Sequence, residues 1–255
     1  MSKVKVSVCV VTYNNKDEII NLIDSVFNNT KGVSFKFYLV DNNSSDGTAN
    51  FIEERYKEKI EIIKNKDNKG FGYAHNKVLD LIDSDYHIII NPDISFDKDV
   101  ISDLCKFMDE NPDVGVVTPK VLYENGDQQH LPKKDPKFKY ILAGKLERIF
   151  KSFSKIRKEY TMADINIDRP IEIEFCTGCF MMIRTDLFKK LKGFDDKFFM
   201  YLEDADLSRR AREYGKVIFT PNVCVNHLWH RASSKKLKFL FIHISSMIKY
   251  FKKWH

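Results

Sequence analysis

Apolar and polar positions alternate with two different periods along the first 120 residues. Short runs rich in β-branched residues predict buried strands at 4–11, 35–40, 60–63, 86–90 and 114–118. Between them, apolar residues spaced three and four apart predict helices at 19–27, 51–56, 70–82 and 100–108. Strand and helix in alternation predict right-handed crossovers, and therefore an α/β fold with a mostly parallel central sheet flanked by helices.

The second half of the chain has a weaker pattern. Residues 120–170 are basic and irregular, and we expect a variable lid or acceptor region there. Strand character returns at 171–184, and a helix is predicted at 204–214. From residue 235 onward, apolar residues recur at helical spacing between lysines, which predicts a basic amphipathic C-terminal helix.

Polar clusters follow three of the predicted strands at the point where each strand ends. They are Thr12-Tyr13-Asn14, residues 41–47 and residues 91–93. Open sheets of this kind bind ligands beyond the carboxyl ends of their strands. The sequence therefore predicts one ligand site at this edge of the sheet.

Two carboxylates of these clusters suit particular ligand groups. Asp41, at a strand end, suits a hydrogen bond from a ring N–H or a ribose hydroxyl, whereas Ser45 and Asp46 suit helix capping. Asp93, in the segment Asn91-Pro92-Asp93, suits a hard divalent cation that carries a diphosphate. A plain turn explains that segment equally well.

Three acids stand beside aromatic residues at 198–206, namely Glu203, Asp204 and Asp206. A helix start needs one capping acid rather than three. Burial beside aromatics raises the pKa of a carboxyl group, which suits a general base. His227 follows the last strand and suits a metal or phosphate contact, although core packing also explains a single histidine.

Composition and charge restrict the class of protein. Of the 255 residues 43% are hydrophobic, enough for a sizeable core, and the formal net charge is +6. The basic excess lies in 133–158 and 235–253, which indicates an anionic partner: nucleic acid, a phosphorylated substrate or an anionic membrane. We find no signal peptide and no run of about 20 apolar residues, so we expect a cytoplasmic chain. Cys176 and Cys179 are expected to be buried reduced thiols.

Together these motifs resemble the inverting family 2 glycosyltransferases of GT-A fold, in particular the bacterial rhamnosyltransferase-like members. The resemblance covers nearly the whole chain, and its specificity lies in the order and spacing of the motifs. The motifs are VTYN at 11–14, VDNNSSDGT at 40–48, NKGFGYAHN at 68–76, NPD at 91–93, TGCF at 177–180, GFD at 193–195, EDADL at 203–207 with Arg210, and His227.

The resemblance implies a role for each matched position. The residues implied to contact the nucleotide, the sugar or their pocket are Thr12, Tyr13, Asn14, Asp41, Asn68, Gly70, Asn76, Asn91, Thr177 and Gly178. Asp93 is implied to bind Mg²⁺ or Mn²⁺ with His227, although Asn91 stands where the family often has a second acid. Asp204 is implied to be the general base, with Glu203 beside it.

The implied function is inverting transfer of a sugar from a nucleoside diphosphate to an acceptor hydroxyl. The first expected donor is dTDP-rhamnose, followed by UDP-sugars, and the acceptor is a cell-surface polysaccharide or a lipid-linked precursor. Anionic lipid on the cytosolic face of the plasma membrane is expected to attract the tail lysines. We divide the chain into a domain at 1–232, with a nucleotide-binding half at 1–120 and an acceptor and catalytic half at 121–232, and a helix at 233–255.

Three alternatives have distinct sequence signs. A non-catalytic nucleotide-sugar-binding protein would lack an acid at 93, 203 or 204, and all three are present. A sugar nucleotidyltransferase would have a glycine-rich phosphate loop after the first strand. A nucleic-acid-binding protein would interleave basic residues with exposed aromatics. The tail's aromatics fall on the apolar face, so we expect no nucleic-acid partner.

Overall fold

The structure is a computed structural model that describes residues 4–147, 150–228 and 237–254. The start of the predicted 233–255 helix, including Lys235 and Lys236, lies outside the described residues. No helix within the described ranges is both long enough and apolar enough to cross a bilayer.

One sheet contains ten strands within the described residues. They are β1 Val4–Thr12, β2 Phe35–Asp41, β3 Ile60–Lys64, β4 Ser84–Ile90, β5 Ile94–Ser95, β6 Val114–Leu122, β7 Gln128–Gln129, β8 Ile171–Glu172, β9 Phe180–Arg184 and β10 Lys216–His227. The order across the sheet is β3-β2-β1-β4-β9-β6-β10-β5, with β7 paired to β6 and β8 to β10.

The first strands form the predicted parallel half of the sheet. β1 pairs in parallel with β2 and with β4, and β2 pairs in parallel with β3. β10 also runs parallel to β6. Side chains alternate between the two faces, as they must in a strand: Val8 and Val10 join one apolar cluster, whereas Cys9 and Val11 join the other.

The second half of the sheet is mixed. β9 lies between β4 and β6 and is antiparallel to both, and the short strands β5, β7 and β8 also pair antiparallel. A buried apolar run has the same appearance in either direction, so the sequence pattern did not reveal this reversal. The predicted strand character at 171–184 is confined to β8 and β9.

Helices cover both faces of the sheet and confirm the α/β class. They are α1 Lys16–Asn29, α2 Thr48–Tyr56, α3 Phe71–His75, α4 Val100–Glu110, α5 Phe138–Leu146, α6 Phe153–Tyr160, α7 Thr185–Lys190, α8 Glu203–Ala211 and α9 Leu237–Trp254. α1 and α4 pack on the face that carries Val8, and α3, α7 and α8 pack on the face that carries Cys9.

A third apolar cluster lies outside the two faces of the sheet. It joins Tyr140 of α5, Tyr160 of α6, Phe198 before α8, and Tyr250 of α9. α5 and α6 fall in the 120–170 segment that we predicted to be irregular. This cluster therefore fixes the basic half of the chain and the C-terminal helix beside α8.

Candidate functional site

The predicted strand-end clusters lie together at one edge of the sheet. Thr12 pairs with Asp41 in the parallel register of β1 and β2, and the amide of Asn42 donates to the Thr12 carbonyl at 2.9 Å. Asp41 is only 5% exposed and accepts the Ser44 amide at 3.1 Å. The Thr12 hydroxyl is buried and has no partner among the described residues. These polar groups form the base of a site at the end of β1 and β2.

The loops after β1 and β2 hold one another in place. Asn14 adopts a left-handed backbone with φ 57°, and its side-chain oxygen accepts the Ser45 amide at 2.8 Å. Its own amide donates to the Ser44 hydroxyl at 3.0 Å. Gly47 rather than Ser45 or Asp46 is the N-cap of α2, and Asp46 accepts the Thr48 amide from the position before the cap. Tyr13 projects from this locked turn and is 51% exposed.

Gly70 joins the strand-end edge to the segment before α8. Its φ is +102°, and a Cβ there would lie 2.0 Å from the Phe199 carbonyl oxygen, so only glycine fits. Asn68 accepts the Gly70 amide at 3.0 Å, and the Gly70 carbonyl accepts the Asn42 side chain at 3.2 Å. Asn68 and Gly70 thus shape the backbone of this edge.

Asn76 lies elsewhere and supports a loop. Its amide group donates to the Phe194 carbonyl at 2.9 Å and to Asp196 at 2.7 Å, and its oxygen accepts the Phe194 amide at 2.8 Å. These contacts occupy the side chain. They also end the predicted 70–82 helix early, since α3 passes into a 3₁₀ turn at Asn76–Val78.

A cavity of about 600 Å³ opens between the segment 175–179, which precedes β9, and the helices α5, α6, α8 and α9. It is lined by six residues of the predicted site, namely Asn91, Thr177, Gly178, Glu203, Asp204 and His227. The cavity also contains side chains that the sequence patterns did not single out, among them Gln129, Lys133, Tyr140, Arg157, Tyr160 and His243. The 120–170 segment therefore forms one wall of the site.

The Asp204 carboxylate is held at the first turn of α8. One oxygen accepts the Gly178 amide at 3.0 Å and the other accepts the Ala205 amide at 3.0 Å. Burial raises the pKa of Asp204, while the positive charge of Lys133 and these amides oppose the rise. Such a group combines a fixed position with a basicity above that of an ordinary aspartate.

Glu203 stands next to Asp204 in a different environment. It is 5% exposed, and its Oε2 has no hydrogen-bond partner among the described residues. Burial, and then the charge of Asp204, raise the pKa of Glu203 well above its usual range. Glu203 is therefore the member of the pair that retains its proton more strongly.

The backbone before these acids is strained. Tyr201 and Leu202 have φ values of 72° and 68°, which non-glycine residues adopt rarely and at a cost of about 1–3 kcal/mol each. The Phe71 amide donates to the Phe199 carbonyl at 3.0 Å, and the Ser246 hydroxyl of α9 donates to the Met200 carbonyl at 2.7 Å. Contacts from two sides thus hold the turn that presents Glu203 and Asp204.

Asp93 pairs with His227, which lines the cavity, although Asp93 is not among the lining residues. His227 Nε2 lies 3.2 Å from Asp93 Oδ1, and His227 Nδ1 lies 2.9 Å from Gln129 Oε1. The Gln129 amino group donates to the carbonyls of His227 and Leu122 at 2.9 and 3.3 Å, which orients the amide. The glutamine oxygen must then accept a hydrogen bond from the Nδ1–H group. In the neutral ring, Nε2 consequently presents a lone pair towards Asp93.

That arrangement fits a cation. Two lone-pair donors that face each other at hydrogen-bond distance need either a proton or a metal ion between them, and a histidine fixed through its other nitrogen is a common metal ligand. Within the described ranges no group of three or more His, Cys, Asp or Glu side chains could hold a metal. Asp93 and His227 would be two of the ligands of such a cation.

Cys176 and Cys179 are buried free thiols, as expected. Burial raises the pKa of Cys179 to about 11 and that of Cys176 well above its usual range. Neither thiol is therefore ionised near neutral pH, and we assign no chemistry to them.

The sheet order and the site at its edge define a GT-A-type fold. Solved structures agree: GalNAc-T7 with UDP, GalNAc and Mn²⁺ matches with a TM-score of 0.71 and 14% identity, over 99% of this chain and 48% of that chain. Mannosyltransferase PcManGT from Pyrobaculum calidifontis, in complex with GDP-Man and Mn²⁺, has a TM-score of 0.64 and 15% identity, over 98% and 65%. At such identities the likeness concerns the fold alone.

The chain belongs to glycosyl transferase family 2, whose model matches residues 7–192. A second model, described as the N-terminal domain of galactosyltransferase, matches residues 160–231. The N-acetylglucosaminyl-diphospho-decaprenol L-rhamnosyltransferase of Mycobacterium tuberculosis is 25% identical, over 77% of this chain and 66% of its own length. Rhamnosyltransferase WbbL of Escherichia coli is 27% identical, over 71% of this chain and 69% of its own length. The chain thus spans about two thirds of the length of these relatives.

Proposed function

We propose that the protein transfers a sugar, with inversion, from a nucleoside diphosphate to an acceptor hydroxyl. The observation that carries this proposal is the fixed Asp204 carboxylate, which lines a cavity leading to the Asp93–His227 pair. Family membership supports the reaction class, and the intact acids at 93, 203 and 204 disfavour a non-catalytic sugar-nucleotide-binding protein.

The reaction is a single in-line displacement. Asp204 accepts the proton of the acceptor hydroxyl, and the oxygen forms a bond to the anomeric carbon on the face opposite the leaving group. The bond between that carbon and the phosphate oxygen breaks, and the nucleoside diphosphate leaves with the electron pair. The Gly178 and Ala205 amides orient the base, and Lys133 stabilises its ionised form.

Asp93 and His227 would hold a divalent cation beside the leaving diphosphate. A cation there supplies charge neutralisation to the departing phosphate oxygens. We favour Mn²⁺ over Mg²⁺ because Mg²⁺ prefers oxygen ligands and one of these two ligands is a ring nitrogen. Gln129 sets the ring orientation by accepting a hydrogen bond from the Nδ1–H group.

The proposed donor is dTDP-rhamnose, with UDP-sugars next, because two relatives are named rhamnosyltransferases. The name of the mycobacterial relative specifies a lipid diphosphate acceptor, which supports a lipid-linked acceptor here. Exposed apolar side chains on α5 and α9, which both line the cavity, favour work at an anionic membrane surface on the cytosolic face. They are Phe138, Leu142, Leu237, Leu240, Phe241 and Ile248.

Donor binding tests the proposal directly. Thermal unfolding would be followed with dTDP, UDP and their sugar derivatives, each with and without Mn²⁺. We expect at least one nucleotide to raise the melting temperature, and Mn²⁺ to increase that shift. In Asp93→Asn the Mn²⁺-dependent part should disappear, since the cation loses its carboxylate ligand.

Asp97→Asn is the matched control, because Asp97 is an exposed aspartate four residues further along the chain. It should respond as the wild type does. The absence of any nucleotide-induced shift in the wild type would overturn the proposed function. An unchanged Mn²⁺ response in Asp93→Asn would overturn only the metal assignment.

A further inference from the structure

Two cationic side chains, Lys133 and Arg157, line the same cavity as Asp204. The Lys133 ammonium lies 4.8 Å from the Phe175 ring centroid and 6.0 Å from that of Tyr160. The Arg157 guanidinium also lies 6.0 Å from the Tyr160 centroid. The two cations therefore share one aromatic surface inside a cavity that they both line.

Neither cation has a carboxylate of its own. Within the described part of the chain, neither side chain forms an ion pair or a hydrogen bond. Nearby acids are engaged by other cations: Glu159 pairs with Lys134 at 3.6 Å and with Lys139 at 3.3 Å. Asp135 in turn pairs with Arg212 at 2.6 Å and Arg209 at 3.6 Å. The fold thus neutralises its outer cations and leaves the two inner ones available.

The charge balance of the cavity wall favours an anion. Asp204 is the acid whose charge acts on Lys133, and its two oxygens already accept hydrogen bonds from two backbone amides. Burial and the charge of Arg157 both lower the pKa of Lys133, whereas Asp204 raises it. Two cations thus stand against one ionised acid, and buried charges without a partner are costly unless a ligand supplies one.

Gly144 makes room for the Arg157 guanidinium at the cavity wall. Gly144 of α5 lines the cavity, and a Cβ there would lie 3.2 Å from Arg157 Nη1, tight against the guanidinium. A planar guanidinium beside a bare backbone can present two donors to a phosphate, whereas a lysine provides a point charge. Tyr140 and Tyr160, stacked with centroids 5.0 Å apart, provide an aromatic floor.

We propose that Lys133 and Arg157 form a subsite for a phosphate carried by the acceptor, separate from the donor diphosphate site at Asp93 and His227. The inference rests on the proposed function and adds the acceptor class: a sugar with a phosphate or diphosphate at its reducing end. The phosphate anchors on Lys133 and Arg157, and the acceptor hydroxyl then reaches Asp204. A lipid chain attached to that phosphate would meet the apolar residues that are exposed on α5 and α9.

The test compares two acceptors that differ only in the phosphate. One is a short-chain prenyl-diphospho-sugar and the other is the alkyl glycoside of the same sugar. Lys133→Met and Arg157→Gln would be assayed with saturating donor. The pH would be well above the range in which the transfer rate falls as the solution is acidified. The preference for the phosphorylated acceptor, as a ratio of kcat/KM values, should fall roughly 10- to 100-fold in each variant, the loss expected for one charged hydrogen bond.

Lys134→Met and Lys158→Gln are matched controls. Lys134 follows Lys133 in the chain, and Lys158 is exposed on the outer side of α6 next to Arg157. Each control variant removes one positive charge and should keep the wild-type preference. An equal loss on both acceptors would overturn the subsite. Weaker binding of the nucleoside diphosphate in Arg157→Gln would also overturn it, since the pair would then belong to the donor.

A binding measurement separates this proposal from the proposed function. Calorimetric titration of a short-chain prenyl diphosphate, with the donor nucleotide saturating, requires no turnover. We expect binding to the wild type that weakens roughly 10-fold or more in Arg157→Gln. Binding lost in that variant supports the subsite even if no sugar is transferred. No binding to the wild type, in a protein that does transfer sugar, overturns the subsite alone.

Discussion

Glu203 and Asp204 show how neighbouring acids acquire different properties. Asp204 accepts two backbone amides and lies within the field of Lys133, whereas Glu203 leaves a buried oxygen without a partner among the described residues. Hydrogen bonds and nearby cations favour the charged form, and burial without them favours the neutral form. These environments favour Asp204 as the base and Glu203 as the retained acid, which is the division that the proposed proton-accepting role needs.

Replacing Glu203 tests this division through stability. A raised pKa in the folded state means that wild-type stability falls as pH rises above the unfolded value of about 4.3. Glu203→Gln removes that loss. We expect its melting temperature to match that of the wild type near pH 4 and to exceed it increasingly as the pH rises to 8.

Glu213→Gln, an exposed glutamate just after α8, is the control and should show no pH-dependent gain. A stability difference between Glu203→Gln and the wild type that does not change with pH would contradict a raised Glu203 pKa. Thermal unfolding by circular dichroism across the pH range is sufficient to decide.

At the scale of the elements, α9 braces α8 and the turn that presents Glu203 and Asp204. Trp254 Nε1 donates to the fully buried Asp206 at 2.9 Å, and the Lys253 ammonium lies 2.7 Å from the same oxygen. Arg210 binds the other Asp206 oxygen at 2.8 Å. Lys253, which we expected to face anionic lipid, thus points into the protein. The inner side of α9 holds α8, and its outer side exposes Phe241 and Ile248.

The brace predicts a cost for a subtle change at Trp254. Trp254→Phe keeps an aromatic ring but removes one hydrogen bond to a buried carboxylate, which costs about 1–3 kcal/mol. Urea unfolding should show that loss, whereas Phe241→Ala, on the outer side of the same helix, should change stability by less than about 0.5 kcal/mol. Equal stability of Trp254→Phe and the wild type would contradict the stabilising role of α9.

The elements differ in how far the sequence predicted them. The buried β-branched run at 4–11 was matched by β1, because a strand buried on both faces leaves a continuous apolar signal. α5 was missed because its apolar residues point both ways: Tyr140 is buried while Phe138 is 67% exposed. The helix therefore has no single apolar stripe for the sequence pattern to reveal. The sequence predicted that Asn76 shapes the nucleotide pocket, but its side chain binds the loop at Phe194 and does not line the cavity. That contact joins residues far apart in sequence, so the local pattern could not indicate it.

The residues of the site also differ in how far the sequence predicted them. Asp204, His227 and Gly178 were predicted because their motifs are local and ordered along the chain. Lys133 and Arg157 gave only a basic bias, and their convergence on Tyr160 depends on how α6 folds back over the cavity. Charge patterns predict the sign of a partner, whereas only the tertiary structure identifies which cations face it.

At the scale of the whole molecule, the exposed apolar residues of α9 accompany a positive net charge. Leu237 and Phe241 are 74% and 68% exposed, and the chain carries a formal charge of +6. Apolar side chains with surrounding cations favour binding to anionic bilayers.

We therefore expect the protein to float with vesicles containing anionic lipid and much less with zwitterionic vesicles. Raising the salt concentration should weaken binding, because it screens the charges. A Leu237→Ser, Phe241→Ser double variant should lose most of the binding, whereas Leu81→Ser, another exposed leucine, should not. Equal flotation of the double variant would contradict a membrane role for α9.

The central claim is that Asp204 accepts the acceptor proton during sugar transfer. The most direct measurement is the single-turnover rate of transfer from bound donor, for the wild type, Asp204→Asn and Glu203→Gln. A positioned base contributes about 10²- to 10⁴-fold, so Asp204→Asn should lose that much while binding the donor as the wild type does. Glu203→Gln should lose far less, because its amide resembles the neutral acid. A wild-type rate in Asp204→Asn would contradict the account.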